Sequence, residues 1–378
     1  MALFILIFFL LMVIYGWRVD QYRHGWMQIP EYDPGNATPV TFLSVIIPAR
    51  NEQHNIARLI DSLALQQYPD DLWEVIIVDD HSTDETLPQL LKLKHKLPNL
   101  QVLSLGGKQP ETGHKKTALA TGINMANGTL IVTTDADCTF ENRWLHTLAS
   151  FYEKNGAVMI AAPVKLEGKR SLLYYFQVLD FLTLQGITGA AVENRMHVLC
   201  NGANLVYEKK VFDDALGFEG INHIASGDDM LLMQKIISLH PHKVRYVKSR
   251  EAIVTTAAAI SWKAFFNQRI RWASKSTHYQ DQKLFRILLL VFTVNCFFVI
   301  QFLLAFWMNL GFFFFLVFLL AKVIIEFPFL QSVARFFKQA SLLKFFPLFQ
   351  PIHMLYTVIA GFLGKFGKFE WKGRILKQ

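Results

Sequence analysis

Four stretches of this chain are too apolar to be left in water: residues 2–17 (ALFILIFFLLMVIYGW), 287–308, 310–325 and, more raggedly, 346–362. A hydrocarbon layer ~30 Å thick is crossed by about 20 such residues, and only as a helix, which satisfies its own backbone. The first run is slightly short, but Tyr15 and Trp17 can complete it at the interface. No Lys or Arg precedes it, Arg18 and Arg23 follow it, and there is no small-x-small cleavage site. We therefore expect a retained anchor, not a secretory signal, with its N-terminus outside and residue 18 onward in the cytoplasm.

The apolar share, 52% of 378 residues with 33 Phe, exceeds that of an ordinary soluble protein. Its excess sits at the two ends, and the middle has normal globular composition. The formal charge of +8 does not point to nucleic acid: no aromatic-interleaved basic motif is present, and the basic residues gather beside the apolar runs. Acidic lipid head groups account for that clustering. Cys138, Cys200 and Cys296 lack metal-site spacing and fit free thiols in a reducing cytosol.

After a polar linker, residues 20–39, strand-like and helix-like pieces alternate. LSVIIPA (43–49), WEVIIVDD (73–80), NLQVLSL and TLIVTTDAD read as strands. NEQHNIARLIDSLALQQ (51–67), STDETLPQLLKLKHKL and HKKTALATGINMAN have helical spacing. Continuously apolar strands alternating with helices predict a parallel sheet covered on both faces, whose ligands bind at the carboxyl ends of its strands. Asn51 and Glu52, Asp79 and Asp80, and Asp135 and Asp137 all fall at such ends, so they should converge on one edge.

Two carboxylates in a D-x-D pair at a strand end need a positive partner. Oxygen-only ligands there suit Mg²⁺ or Mn²⁺ bridging two phosphates, with Asp137 and Asp135 as the metal pair. A pair of this kind also occurs in solvated turns, and Asp79–Asp80 could also cap the helix that follows, a role compatible with binding.

Seven segments in register resemble family 2 of the inverting glycosyltransferases, the group of cellulose, chitin and hyaluronan synthases and ceramide glucosyltransferases. They are SVIIPARNE, VIIVDDHSTDET, HKKTALATG, TTDAD, CNGANLVYEKKVF, SGDDMLL and QRIRW, running from about Ser44 to Trp272. The resemblance implies an α/β fold of the nucleotide-diphospho-sugar transferase type, a parallel-rich mixed sheet flanked by helices, plus transmembrane helices. It implies a UDP-sugar donor, with Asp80 on the base, Pro48 to Glu52 (Arg50 among them) as the other wall, Asp79 beside them and Lys115 near the diphosphate. Asp229, after Asp228, matches the family's proton acceptor, which must face the sugar from a segment other than the D-x-D. Gln268, Arg271 and Trp272 match Q-x-x-R-W. Arg271 suits the departing diphosphate, and Trp272 offers an apolar wall to an acceptor.

Two departures weaken a reading as a polymer-extruding enzyme: Ala273 and Ser274 follow the Trp where the family often has Gly, and LeuGlyPhe (216–218) replaces GlyGlyPhe. We expect an anchor at 1–19, a linker at 20–39, a cytoplasmic glycosyltransferase domain at 40–280 and a C-terminal membrane region at 281–378. The last would hold spans at about 287–308 and 310–330, an interfacial helix at 331–345, a re-entrant or interfacial hairpin at 346–364 in preference to a third span, and a basic tail. LLYYFQVLDFLTL (172–184) could rest on the bilayer surface. Lys322 and Glu326, spaced i, i+4, are expected to snorkel at a helix end; an ion path would be the other reading.

The function expected is inverting transfer of a sugar from a UDP-type nucleotide sugar to a lipid or lipid-linked acceptor at the cytoplasmic face of a bacterial inner membrane, the partners being the UDP-sugar donor, a lipid or saccharide acceptor and the membrane. A processive polysaccharide synthase and a non-catalytic membrane nucleotide-sugar sensor or scaffold are the alternatives.

Overall fold

The computed structural model describes residues 2–106, 114–224, 227–274, 281–307 and 310–366, with the backbone of 369–371 and 374–376. A long helix, α1 (Ala2–Gln28), precedes the first strand. The central sheet comprises β1 (Leu43–Ala49), β2 (Trp73–Asp79), β3 (Leu100–Ser104), β4 (Leu130–Thr133), β6 (Met159–Ala161), β8 (Leu205–Glu208) and β9 (Val244–Tyr246), in the order β3-β2-β1-β4-β8-β6-β9. β1 is parallel to β2 and β4, β2 to β3 and β6 to β9, while β8 runs antiparallel to both neighbours. The sheet is thus parallel-rich and mixed. A smaller sheet pairs β10 (Val254–Ala257) with β5 (Thr139–Phe140) and β7 (Val164–Glu167).

Val45 to Ile47 and Val75 to Val78 are fully buried, as a strand covered on both faces requires. The covering helices are α2 (Ile56–Ala64), α3 (Thr86–Leu93), α4 (His114–Met125), α5 (Trp144–Asn155), α6 (Leu172–Glu193), α7 (Lys209–Asp214) and α8 (Asp228–Leu239). In α2, Ile56, Leu59, Ile60 and Leu63 recur at helical spacing and all are buried. The helix expected from residue 51 starts later, because residues 51–55 turn first: Asn51 has φ 52° and the Glu52 amide donates to Thr86.

Among the described residues, four segments are long and apolar enough to cross a membrane: α1, α10 (Gln282–Leu304), α11 (Gly311–Phe336), and Ala340–Gly364, most of which is α12 (Phe346–Phe366). Packing separates the last from the others. Phe8 meets Phe298 of α10 and Phe318 of α11, Tyr22 meets Phe329 and Trp26 meets Phe336, so α1 runs parallel to α11 in a three-helix bundle. α12 instead crosses that bundle. Its Gln350 bonds Lys322 of α11 and its Gly361 abuts Phe292 of α10, two residues at comparable distances from the turn that joins α10 to α11. It lies parallel to α9 (Trp262–Ser274), since Tyr356 packs on Phe265 and Gly364 on Ala273. The strands β11 (Phe369–Trp371) and β12 (Arg374–Leu376) pair as a hairpin after it.

Several boundaries differ from expectation. The first helix runs to Gln28, past both the anchor limit at 19 and the linker start at 20, because Arg23 pairs with Asp20 and Arg18 with Gln21 on its polar face. Residues 29–41 are docked: Tyr32 bonds Lys248 and Ser150, and Val40 and Thr41 donate to Glu153. Lys248 donates to the carbonyls of Trp26 and Ile29 at the end of α1, where a cation meets unpaired carbonyls and the negative helix pole. α10 begins at Gln282, capped by Asp281, and α11 continues through Pro328 to Phe336, so the stretch expected as one interfacial helix at 331–345 is divided between the end of α11 and a 3-10 helix, Ala340–Phe345, that leads into α12. Residues 346–364 form one continuous helix, not a hairpin.

The middle of α6 packs against protein. Phe176 to Leu182 are buried, and a Cβ on Gly186 or Gly189 would collide with Val333 of α11 or Trp26 of α1, so these glycines let three helices close on one another. Lys322 does not snorkel: it is 0% exposed, with its ammonium held by Glu326 and Gln350, while the Tyr15 hydroxyl donates to Glu326.

Candidate active site

The parallel register aligns the ends of β1, β2 and β4, with Ala49 beside Asp79 and Ile46 beside both Ile76 and Thr133. Whatever follows those strands must open onto one edge. There an open cleft of about 1150 Å³, solvent-filled mouth included, is lined by Pro48, Arg50, Glu52, Asp80, Lys115, Asp135, Asp137, Asp228, Asp229, Gln268, Arg271 and Trp272. Every residue expected at the site is brought together here except Asn51, whose Oδ1 accepts from the Thr83 amide, and Asp79. The Asp79 side chain is buried beneath the turn, where Oδ2 accepts from the Ser82 amide at 3.3 Å; it does not cap the helix that follows, since α3 begins only at Thr86 with Glu85 before it.

The wall at the ends of β1 and β2 is a backbone lock. Arg50 Nη1 donates to the carbonyls of Asp80 (2.7 Å) and His81 (3.0 Å), tying the end of β1 to the end of β2. Asp80 Oδ1 is 3.1 Å from His81 Nδ1, and Glu52 accepts from Asn55 at 2.6 Å.

Lys115 sits in the middle. Its ammonium is 2.8 Å from Asp135 Oδ1 and 3.2 Å from Asp228 Oδ2, so one cation bridges the D-x-D and the start of α8. Burial works against its charge, but Asp135 and then Asp228 outweigh it and hold the lysine pKa above its ordinary value. Burial likewise draws the Arg271 pKa down, opposed by Asp135, Asp228 and Asp229.

Asp137 is braced by Thr256 Oγ1, which donates to its Oδ2 at 3.0 Å from the small sheet. Burial beside Asp137 and Asp135 pushes the Cys138 thiol well up, so it stays protonated. Among the described residues, no group of three or more His, Cys, Asp or Glu could hold a metal with protein ligands alone. Two hard carboxylates short of a full set fit Mg²⁺ or Mn²⁺, which leave remaining positions to phosphate and water.

Asp229 is fixed by backbone: Oδ1 accepts from Met230 N (2.8 Å) and Oδ2 from Gly202 N (3.1 Å). A Cβ on Gly202 would stand 3.3 Å from both Asp228 Oδ2 and Asp229 Cβ, so glycine admits the loop to the two acids. On the far side Trp272 faces Phe181, ring centroids 6.3 Å apart, beside Gln268 and Arg271.

Thr256, Phe181 and Leu166 line the cleft without having been anticipated. Thr256 stands in an unremarkable VTTAAA stretch, and Phe181 is one aromatic among many in α6. Neither carries a local signal. Gly202 had one, in CNGAN.

Sequence profiles agree with this architecture. That of glycosyl transferase family 2 matches residues 44–215, and that of glycosyl transferase family group 2 matches residues 130–328, more than half of the chain. The chain belongs to the family 2 group of glycosyltransferases. Among its relatives, glycosyltransferase AglE of Haloferax volcanii is 26% identical over 189 residues, 50% of this chain and 59% of that protein. A beta-monoglucosyldiacylglycerol synthase of Synechocystis is 28% identical over 263 residues, 65% of this chain and 50% of that protein. The chain thus spans about half the length of these curated relatives. In fold it is similar to the mannosyltransferase PcManGT from Pyrobaculum calidifontis, solved with GDP-Man and Mn2+, at TM-score 0.56 and 18% identity, covering 96% of this chain and 97% of that one.

Proposed function

We propose that this chain is an inverting glycosyltransferase that moves a sugar from a UDP-type donor to a hydroxyl of a lipid or lipid-linked acceptor at the cytoplasmic face of a bacterial inner membrane. One observation carries it. A single cleft holds the D-x-D pair, Lys115, the Asp228–Asp229 pair and the Arg271–Trp272 wall, and the helix bearing that wall lies along α12, which crosses the apolar bundle.

In this reading Arg50, Glu52, Pro48 and Asp80 enclose the nucleoside. Lys115 turns from Asp135 and Asp228 toward the incoming diphosphate, whose charge replaces theirs. Asp135 and Asp137 would hold Mg²⁺ or Mn²⁺, which neutralises charge growing on the leaving group. Arg271, partly stripped of water, meets the same phosphates. Asp229, oriented by two amides, takes the acceptor proton from the opposite side of the sugar. α12 would lie flat at the membrane face, so Trp272 and Phe181 frame the cleft on the side from which a lipid hydroxyl arrives. The lipid acceptors named for relatives such as the Synechocystis synthase favour this class.

The test is release of UDP by the purified protein in lipid nanodiscs from a panel of UDP-sugars with Mn²⁺. Turnover of at least one donor, abolished by chelation, is expected. No turnover with any UDP-sugar, alongside turnover of another nucleotide sugar, would overturn the donor assignment.

A further inference from the structure

Beneath the acceptor side of the cleft lies a buried ion pair that the reaction itself does not use. Arg269 Nε and Nη2 both donate to Asp180 Oδ2, at 3.0 and 2.7 Å, and both side chains are about 95% buried. Such a pair is weak grounds for stability, because desolvating two charges offsets most of their attraction. Its geometry shows what else it does. The remaining guanidinium nitrogen, Nη1, donates to Gln268 Oε1 at 2.8 Å. The guanidinium carbon lies 4.2 Å from the centre of the Trp272 ring and 4.6 Å from that of Phe265. Each nitrogen and the ring neighbours of Arg269 are therefore assigned, and two of its partners, Gln268 and Trp272, line the cleft.

Asp180 is fixed from its other side. The Tyr356 hydroxyl of α12 donates to its Oδ1, and His353 Nε2 stands 3.9 Å from the same oxygen. The next residue in α6 is Phe181, which faces Trp272. Two neighbouring residues on α6 thus meet two residues of α9, ion pair inside and aromatic pair at the cleft.

We propose that Asp180 and Arg269 are positioning residues that set Gln268 and Trp272 at the acceptor side of the cleft, with Tyr356 fastening the pair to α12. This rests on the reading of Trp272 as an acceptor wall. An arginine fork has fixed directions and a flat face, which a lysine lacks. A misplacement of the wall by about 1 Å is enough to spoil alignment of a hydroxyl with a sugar carbon.

Arg269→Lys keeps a cation opposite Asp180 but has neither fork nor plane, and Tyr356→Phe removes one hydrogen bond. Donor binding is read with UDP and Mn²⁺ by calorimetry, and the water reaction as UDP release without acceptor. Transfer is read with diacylglycerol in phosphatidylglycerol vesicles. Arg269→Lys should leave UDP affinity and hydrolysis within about twofold and raise the acceptor KM on the order of tenfold, with Tyr356→Phe in between. Acrylamide quenching of Trp272, taken as the difference between each protein and its Trp272→Phe counterpart, needs no acceptor and should show the ring more accessible in Arg269→Lys. Unchanged Trp272 quenching in Arg269→Lys overturns the proposal, as does an equal fall in hydrolysis, UDP affinity and transfer. Changed quenching with no transfer to any lipid keeps the positioning and overturns the lipid reading instead.

Discussion

The ammonium of Lys115 stands 2.8 Å from Asp135 Oδ1, and the same nitrogen reaches Asp228. Strand end and helix start are thereby joined through one charge. Because the lysine pKa is raised in the fold, its stabilising contribution is fully present below the unfolded value near ~10.4 and is lost only as pH rises through the folded one. Thermal melts in detergent should therefore show a gap between the wild type and Lys115→Met that is constant from neutral pH up to about 10 and narrows above it. UDP affinity in the variant should fall ~10-fold. A gap that closes between pH 6 and 8 (about the histidine range) would mean another group dominates.

Asp137→Asn should raise the Mn²⁺ concentration needed for half-maximal UDP binding by ~10- to 100-fold. Thr256→Val, which removes only the brace on Oδ2, should raise it by about tenfold. Both should melt within a few degrees of the wild type. Metal titrations of UDP binding check this, and an unchanged metal requirement in both variants would contradict the assignment of the D-x-D.

Asp229→Asn should bind UDP normally and lose transfer by ~10²- to 10⁴-fold, because a proton acceptor works only in the displacement step. Weakened UDP affinity with retained turnover would instead move Asp229 to the donor side.

The first four strands of the central sheet and the acids at their ends were legible because their signals are local. A buried strand must be continuously apolar, as in VIIP and VIIV, and acids at the strand ends then share an edge by geometry alone. The end of the first helix was misplaced for a physical reason. Arg18, Asp20 and Arg23 looked like the end of a membrane helix, yet polar side chains on one face do not stop a helix whose other face still has Tyr22 and Trp26 to bury. Lys322 looked like a snorkelling residue because its partners, Gln350 and Tyr15, are distant in sequence. Thr256, Asp180 and Phe181 are in the same position: their roles exist only once the small sheet, α6 and α9 come together.

Lys248→Ala should free the end of α1 from the catalytic domain, since it leaves the Trp26 and Ile29 carbonyls without their donor and removes the cation over the Trp26 ring. A loss of ~2–3 kcal/mol is expected, visible as a lower melting temperature and faster protease cleavage between residues 29 and 42. Unchanged cleavage would show that Tyr32 and Glu153 dock this segment unaided.

The most direct test of the account is the product. Purified protein in nanodiscs, given labelled UDP-sugar, Mn²⁺ and a total membrane lipid extract, should yield a labelled species that partitions into organic solvent and runs as one compound of fixed size. A water-soluble product whose length grows with time would contradict the account and make the chain a polymer synthase.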